Sequence, residues 1–179
     1  NFGWNAFPGL DAGYSIGRNW HIYVNAGQSY RVPNFYELYY ESPVEKGDPD
    51  LKPENSISFE AGIKHTGGPI TGEFNVFKQY SRQLIDWVQV PLTDSTFYWQ
   101  AMNITDITRT GVEIGMKFDI SRIIINQSRL RWSGISYNYI ISDVADKTVI
   151  SRYVLENLKH QVIMGLEHKI FWRIYHRLN

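Results

Sequence analysis

Residues 45–63 read EKGDPDLKPENSISFEAGI, a run rich in Gly, Asp, Pro and Lys that passes directly into a regular alternation of apolar and polar side chains. From Ile57 to Ile63 every second residue is apolar, and Ser58 and Glu60 lie between them. A period of two is that of a β-strand with two unlike faces. Proline has no N–H to donate to a sheet ladder. The stretch therefore predicts a rigid turn that opens a two-faced strand.

The same alternation recurs along the chain and predicts about eight antiparallel strands. They lie near residues 9–16, 20–31, 56–65, 70–90, 112–120, 130–141, 158–169 and 171–179, and the fourth contains a phase slip at 80–84 that indicates a bulge. Short turns near residues 17, 67, 126 and 169 alternate with long loops at 33–54, 91–109 and 143–152, the first of which contains a possible helical turn at 35–40. Strands of about ten residues with this alternation of connections are typical of an outer-membrane barrel.

Periodicity alone leaves two architectures open. In a soluble sandwich the apolar face packs inward and the charged face meets water. In a large barrel the apolar face meets lipid and the charged residues point into a wet lumen. The residues concerned are Glu60, Lys64, Glu113, Lys117 and Asp119.

Composition excludes several functional classes. Lys plus Arg and Asp plus Glu both number 18, so the net charge of zero gives no indication of a nucleic-acid partner. The chain has no cysteine, which excludes disulfides and thiolate metal sites. Its longest apolar runs are too short for a transmembrane helix. Aromatic residues make up 15% of the chain, which suits strands with one apolar face or the aromatic girdles of a barrel.

Catalytic and metal-binding motifs are not evident. The sequence contains neither a P-loop nor a G-x-S-x-G elbow. Asp48, Asp50 and Glu54 have a spacing that could hold Ca²⁺, but the motif resemblance described in the next paragraph explains them as a turn. His160 and His168 are too far apart along an extended strand to share a metal. We predict no enzymatic activity, no metal and no cofactor.

Three motifs resemble those of the TonB-dependent outer-membrane receptors. Barrels of that family commonly carry R-x-P-x-x-x-E-L, then G-[ND]-P-x-L-K-P-E at the opening of the next strand, and later an N…GVE step. The matching residues here are Arg31, Pro33, Glu37, Leu38, Gly47, Pro49, Leu51, Lys52, Pro53, Glu54, Asn103, Gly111 and Glu113. The segment YVLENLKH at 153–160 also resembles a late-barrel segment of receptors from Bacteroides-like bacteria.

The resemblance implies an all-β fold, an antiparallel transmembrane β-barrel segment with short periplasmic turns and long extracellular loops. About eight strands of a roughly 22-stranded barrel would lie in residues 1–179, and we expect the plug domain and the final strands to lie outside this chain. The implied location is the outer membrane of a Gram-negative bacterium, in contact with its lipid.

The implied function is active import of a scarce nutrient, namely siderophore-bound iron, cobalamin, haem or an oligosaccharide. TonB would supply energy through the plug region. A soluble β-sandwich module that binds carbohydrate and a passive porin are the alternatives. A cobalamin or siderophore receptor is preferred, because the compact GDPDLKPE segment at 47–54 and the modest loops resemble the large saccharide transporters less.

Aromatic residues of two long loops are the candidate ligand contacts, because loops on a rigid scaffold commonly carry binding function. Their rings suit sugars, haem, corrinoids or catechols. The alternative is that they belong to a membrane girdle or pack loop on loop. The residues are Tyr36, Tyr39, Tyr40, Phe97, Tyr98 and Trp99.

Overall fold

The computed structural model describes residues 4, 6–93, 96–104, 106–124, 129–144, 150–152, 158–171 and 174–178. These residues form eleven strands and two short helices. The strands are β1 (Gly9–Ile16), β2 (Trp20–Arg31), β3 (Glu45–Lys46), β4 (Glu54–Gly67), β5 (Ile70–Arg82), β6 (Ile85–Thr93), β7 (Thr96–Asn103), β8 (Ile107–Asp119), β9 (Leu130–Val144), β10 (His160–Phe171) and β11 (Ile174–Leu178); the helices are α1 (Phe35–Tyr39) and α2 (Ile120–Ile123).

Eight strands form one antiparallel sheet in the order β1-β2-β4-β5-β8-β9-β10-β11. These are the eight strands predicted from the sequence. Short connections join β1 to β2 and β4 to β5 at one end of the sheet, and long connections leave the other end. The sheet is open within the described residues, with β1 and β11 at its edges, so the barrel is not closed by this chain.

The two faces of the sheet differ sharply in polarity. Register pairs Ile63 with Ile22 on one side and Phe74 on the other, so apolar side chains continue from strand to strand. The opposite face carries the polar partners, such as Lys64 beside Glu73. Phe59 is 50% exposed and Phe74 is 42% exposed on the apolar face. In the ranges that the structure describes, this apolar face stays exposed, whereas the sandwich alternative requires it to pack inward.

The stretch 70–90 is not one strand with a bulge, and that prediction was wrong. β5 ends at Arg82, and Gln83 has a φ of 55°. A left-handed conformation is uncommon for a residue other than glycine and interrupts the ladder. β6 then begins at Ile85 and joins a separate three-stranded sheet of order β3-β7-β6.

Two predicted loops contain secondary structure that the sequence analysis missed. The stretch 33–54 contains α1, the expected helical turn, and also β3, whereas 91–109 contains all of β7. α2 was not expected either. β10 continues to Phe171, past the turn predicted near 169. The turn predicted near 126 and residues 153–157 of the YVLENLKH segment lie outside the described residues.

The buried core lies at the end of the large sheet from which the long connections leave. One cluster consists of Leu84, Val88, Ile104, Ile107 and Val144, and a second of Leu51, Ile85, Trp87 and Ala101 with Leu38 and Trp99 packed against it. Both lie around the small sheet. Neither α1 nor α2, nor any other described segment, is a helix long and apolar enough to cross a membrane.

Candidate functional site

An arginine clamp, consisting of Arg31, Glu37 and Glu54, joins the first long connection to the large sheet. Arg31 Nη1 donates to both carboxylate oxygens of Glu37 at 2.9 and 3.0 Å, and its Nη2 donates to Glu54. Glu37 also closes a capping box with Asn34, which fixes the start of α1. Glu54 Oε1 accepts the N–H of Ile85 at 2.7 Å. One guanidinium thus ties β2, α1, β4 and, through Glu54, β6.

Gly47 lets the proline-rich turn lie directly against α1. A Cβ atom at this position would be 2.8 Å from the carbonyl oxygen of Glu37. The N–H of Asp48 donates to that same oxygen at 2.9 Å. The Asp48 carboxylate accepts the N–H of Asp50 at 2.9 Å, which is an Asx turn. The Asp48 carboxylate therefore stabilises the backbone of this turn.

Leu51 and Asn103 fasten the turn to the small sheet. Leu51 is buried against Trp87 and Ala101. Asn103 Oδ1 accepts the N–H of Lys52 at 2.7 Å, and its Nδ2 donates to the carbonyls of Lys52 and Gln83, both at 2.8 Å. These contacts hold the connections together.

The other motif residues differ in burial and in the neighbours that they contact. Pro33 is buried, whereas Pro49 and the Lys52 side chain are exposed. In β8, a Cβ at Gly111 would lie 2.4 Å from the ring of Phe77, so glycine leaves room for that ring. Glu113 accepts a hydrogen bond from Asn75 at 3.2 Å on the polar face.

Parallel pairing of β3 with β7 brings the two aromatic loops together. Glu45 is the register partner of Trp99, and the Trp99 N–H donates to the carbonyl of Val44 at 2.9 Å. The ring of Tyr36 stacks on Tyr40 at 4.2 Å between centroids and lies 5.2 Å from the ring of Trp87. This proximity is not evident from the sequence, because the two loops are far apart along the chain.

The six predicted aromatic residues differ in exposure. Tyr36, Tyr39, Tyr40 and Phe97 are exposed, whereas Tyr98 and Trp99 are half-buried, and Trp99 packs on the core. Phe35 was missed. It is 78% exposed and its ring lies 5.0 Å from that of Tyr39. The four-residue spacing of these rings within one helical turn was the available signal.

Glu45 connects the aromatic residues to the third long connection. It accepts hydrogen bonds from the Tyr36 hydroxyl and, at 2.6 Å, from Arg152, whose guanidinium lies 5.5 Å from the ring centroid of Trp99. Donation to the Glu45 carboxylate raises the pKa of Tyr36 to about 12. The pKa of Glu45 is lowered, first by that hydrogen bond and then by the one from Arg152.

The segment 150–152 is also held by its backbone. The Gln89 N–H donates to Ile150, and the Arg152 N–H donates to Trp87, both at 3.0 Å. Elements of three long connections therefore form one folded unit, called the cap from here on: α1, β3, β6, β7 and residues 150–152. Exposed rings lie on the cap, and ion pairs and buried side chains hold it together.

The predicted lumen residues lie on the polar face of the sheet below the cap. Lys64 and Glu73 form an ion pair at 3.3 Å, and the Tyr23 hydroxyl donates to Glu60 at 3.1 Å. Lys117 lies 4.9 Å from the ring centroid of Trp132. Among the described residues, no three His, Cys, Asp or Glu side chains are grouped so that they could hold a metal ion. The face is a hydrogen-bonded polar wall.

Comparisons with known proteins agree with this architecture. The model of the family described as "TonB dependent receptor-like, beta-barrel" matches residues 1–177. A vitamin B12 transporter, BtuB of Photobacterium profundum, is 25% identical over 147 residues, which is 82% of this chain and 22% of that protein. BtuB of Vibrio vulnificus is 30% identical over 96 residues, 54% of this chain and 15% of that protein.

Solved structures show the same fold. The copper transporter OprC matches with a TM-score of 0.68 at 16% identity, over 90% of this chain and 24% of that one. The siderophore receptor PirA from Pseudomonas aeruginosa matches with a TM-score of 0.63 at 17% identity, over 93% of this chain and 33% of that one. The chain therefore spans a third or less of the length of each of these proteins.

Proposed function

Because the chain belongs to the TonB-dependent receptor-like β-barrel family, we propose that it forms part of the wall and the extracellular cap of an outer-membrane transporter. The transporter imports a scarce nutrient, and TonB supplies energy through a plug region of the parent protein. The observation that carries the proposal is the large sheet, with one exposed apolar face, one polar face, and a folded cap at the end where the long connections leave. A wall between lipid and a wet lumen requires these two faces.

The cap end faces outward in this proposal, because outer-membrane barrels have short periplasmic turns and longer extracellular loops. Exposed aromatic residues on the apolar face support this arrangement. Trp20 lies near the short connections and Tyr80 near the long ones. These are the two levels at which barrels place their aromatic girdles.

A corrinoid is the first ligand to test, because both sequence relatives described above are vitamin B12 transporters. The exposed rings of Tyr36, Tyr39 and Phe97 provide flat apolar contacts of the kind that a macrocycle can pack against. They lie on a cap held by the arginine clamp and by Asn103, so a ligand would not have to order these loops.

The test uses the full-length receptor. We expect it in the outer-membrane fraction, with faster gel migration before boiling than after, and we expect it to bind cyanocobalamin in calorimetry. Tyr39→Ala should weaken binding about fivefold, since one aromatic contact contributes about 1 kcal/mol. Tyr14→Ala is the matched control, because Tyr14 is a similarly exposed tyrosine on β1, far from the cap.

Each part of the proposal has its own contrary outcome. A soluble protein without heat-dependent migration would contradict the barrel wall in a membrane. Corrinoid uptake that persists in cells lacking TonB would favour a passive porin. A receptor that binds a ferric siderophore and no corrinoid would contradict the ligand and leave the transport class intact.

A further inference from the structure

The outward face of β5 becomes cationic toward the cap. Its side chains run, in order, Phe74, Val76, Lys78, Tyr80 and Arg82. The Lys78 amino group lies 5.1 Å from the ring centroid of Tyr80. The Arg82 side chain is 78% exposed, and its ion-pair contact, to Asp106 at 4.0 Å, is with a carboxylate that is itself 63% exposed. Two cations thus flank an aromatic ring on a face that is apolar below them.

A groove lies beside these residues. It has a volume of about 890 Å³. Ile57 and Phe59 form an apolar floor next to Tyr80. The other lining residues include Arg82, the polar residues Gln28, Asn55 and Thr108, and Asp106, whose exposed carboxylate lies 4.0 Å from Arg82. The apolar floor matches the acyl chain of a lipid molecule. The polar rim, with Arg82 on it and Lys78 beside Tyr80, matches the headgroup.

The height of Lys78 on the wall agrees with a membrane interface. Lys78 follows Ile70, the first residue of β5, by eight positions, which is about 26 Å along a strand at roughly 3.3 Å per residue. Because the strands of such a barrel tilt by about 40° from its axis, Lys78 lies about 20 Å above Ile70 along that axis. This height is close to the top of an apolar band about 25 Å tall. A cation on the lipid face is unfavourable at the midplane and nearly neutral at this level.

We propose that Lys78, Tyr80 and Arg82, with the groove beside them, bind the phosphate-bearing headgroup of an outer-leaflet lipid. The inference rests on the proposed function, which places the cap end outward. The Arg82 guanidinium can donate two parallel hydrogen bonds to a phosphate. Lys78 adds a point charge, and an acyl chain covers Ile57 and Phe59. Free phosphate would leave that apolar floor uncovered, so the lipid is the better occupant.

The test measures binding of bisphosphorylated lipid A to the full-length receptor in detergent by native mass spectrometry. One basic residue near an anionic membrane surface contributes about fivefold in affinity. The double variant Lys78→Gln/Arg82→Gln should therefore bind about 25-fold more weakly. The matched control is Lys64→Gln/Arg109→Gln, one lysine and one arginine on the opposite, polar face; its affinity should equal that of the wild type.

Two further measurements are needed. One distinguishes loss of charge from misfolding, and the other distinguishes binding of a lipid from binding of free phosphate. Lys78→Arg/Arg82→Lys keeps both charges and should retain most of the affinity, which shows that a loss in the glutamine variant is not misfolding. Lipid A stripped of its phosphates should bind weakly to the wild type, and millimolar inorganic phosphate should not displace intact lipid A.

Unchanged affinity in the glutamine variant, equal loss in the polar-face control, or displacement by inorganic phosphate would each overturn the lipid site. Outer-membrane partition and cyanocobalamin uptake are measured on the same strains. Failure of those two in the wild type contradicts the proposed function, whereas unchanged lipid affinity with transport intact contradicts the lipid site alone.

Discussion

Gly47 is the position at which the smallest change should loosen the cap. An added Cβ would lie 2.8 Å from the Glu37 oxygen and 2.9 Å from both the Leu38 carbonyl carbon and the Tyr39 nitrogen. All three are backbone atoms of α1, so no side-chain rotation can relieve the contact. Gly47→Ala must therefore push the turn away from the helix by about half an ångström, because ordinary carbon contacts begin near roughly 3.5 Å.

The displacement would strain two backbone hydrogen bonds. They are the bond from the Gly47 N–H to Tyr40 at 2.6 Å and the bond from the Asp48 N–H to Glu37 at 2.9 Å. Overpacking of this kind costs about 1–3 kcal/mol. If that cost falls on local opening of the cap, amide exchange there should accelerate by about 5- to 150-fold.

Hydrogen–deuterium exchange of peptides covering residues 34–52 in the full-length receptor measures this effect. Gly27→Ala is the matched control, because an added Cβ at Gly27 in β2 meets nothing within 4 Å and its φ is not in the left-handed region. Its exchange should match that of the wild type. Unchanged exchange in Gly47→Ala, or equal acceleration in both variants, would refute the close-approach argument.

Three further changes test the rest of the cap. Glu54→Gln removes one of the two carboxylate charges that Arg31 binds. It should lower the free energy of cap opening by about 1 kcal/mol, discounted because the Arg31 side chain is 43% exposed. Hydrogen exchange at the start of β4 measures this change, and an unchanged rate would contradict the clamp. Asn103→Ala leaves three backbone groups without their hydrogen-bond partner and should lower the stability of the cap by about 1–3 kcal/mol. The measurement is proteolysis within 83–106, which should be faster in the variant. Equal resistance to protease would show that the Asn103 hydrogen bonds contribute little. The Tyr36–Glu45 contact should weaken at both extremes of pH. The pKa of Tyr36 is raised to about 12, so the contribution of its hydrogen bond to stability is complete below the ordinary tyrosine pKa of 10.0 and is lost as the pH rises through 12. The pKa of Glu45 is lowered, so the contribution of its carboxylate to stability is complete above the ordinary pKa of 4.5 and is lost as the pH falls through the lowered pKa. Ultraviolet titration should show one tyrosinate fewer near pH 12 in Tyr36→Phe, and identical titration curves would contradict the hydrogen bond.

The eight strands of the wall were predictable because their signal is local. Alternation of side chains across a strand follows from backbone geometry alone, so Ile57, Ile63 and Lys64 could be placed on their faces without knowledge of their neighbours. Motif resemblance then decided between barrel and sandwich, which periodicity could not separate. The structure agrees, since the apolar face stays exposed across the described sheet.

The sequence by itself determined the eight strands of the large sheet, their two faces and the family, because side-chain alternation and motifs can be read from residues close together in the chain. Tertiary structure decided the cap. The pairing of Glu45 with Trp99 joins residues with no shared local pattern, and the left-handed Gln83 that sends β6 into the small sheet has no glycine to indicate it. Contacts between distant segments depend on loop closure and packing, and these become visible only when the whole chain is folded.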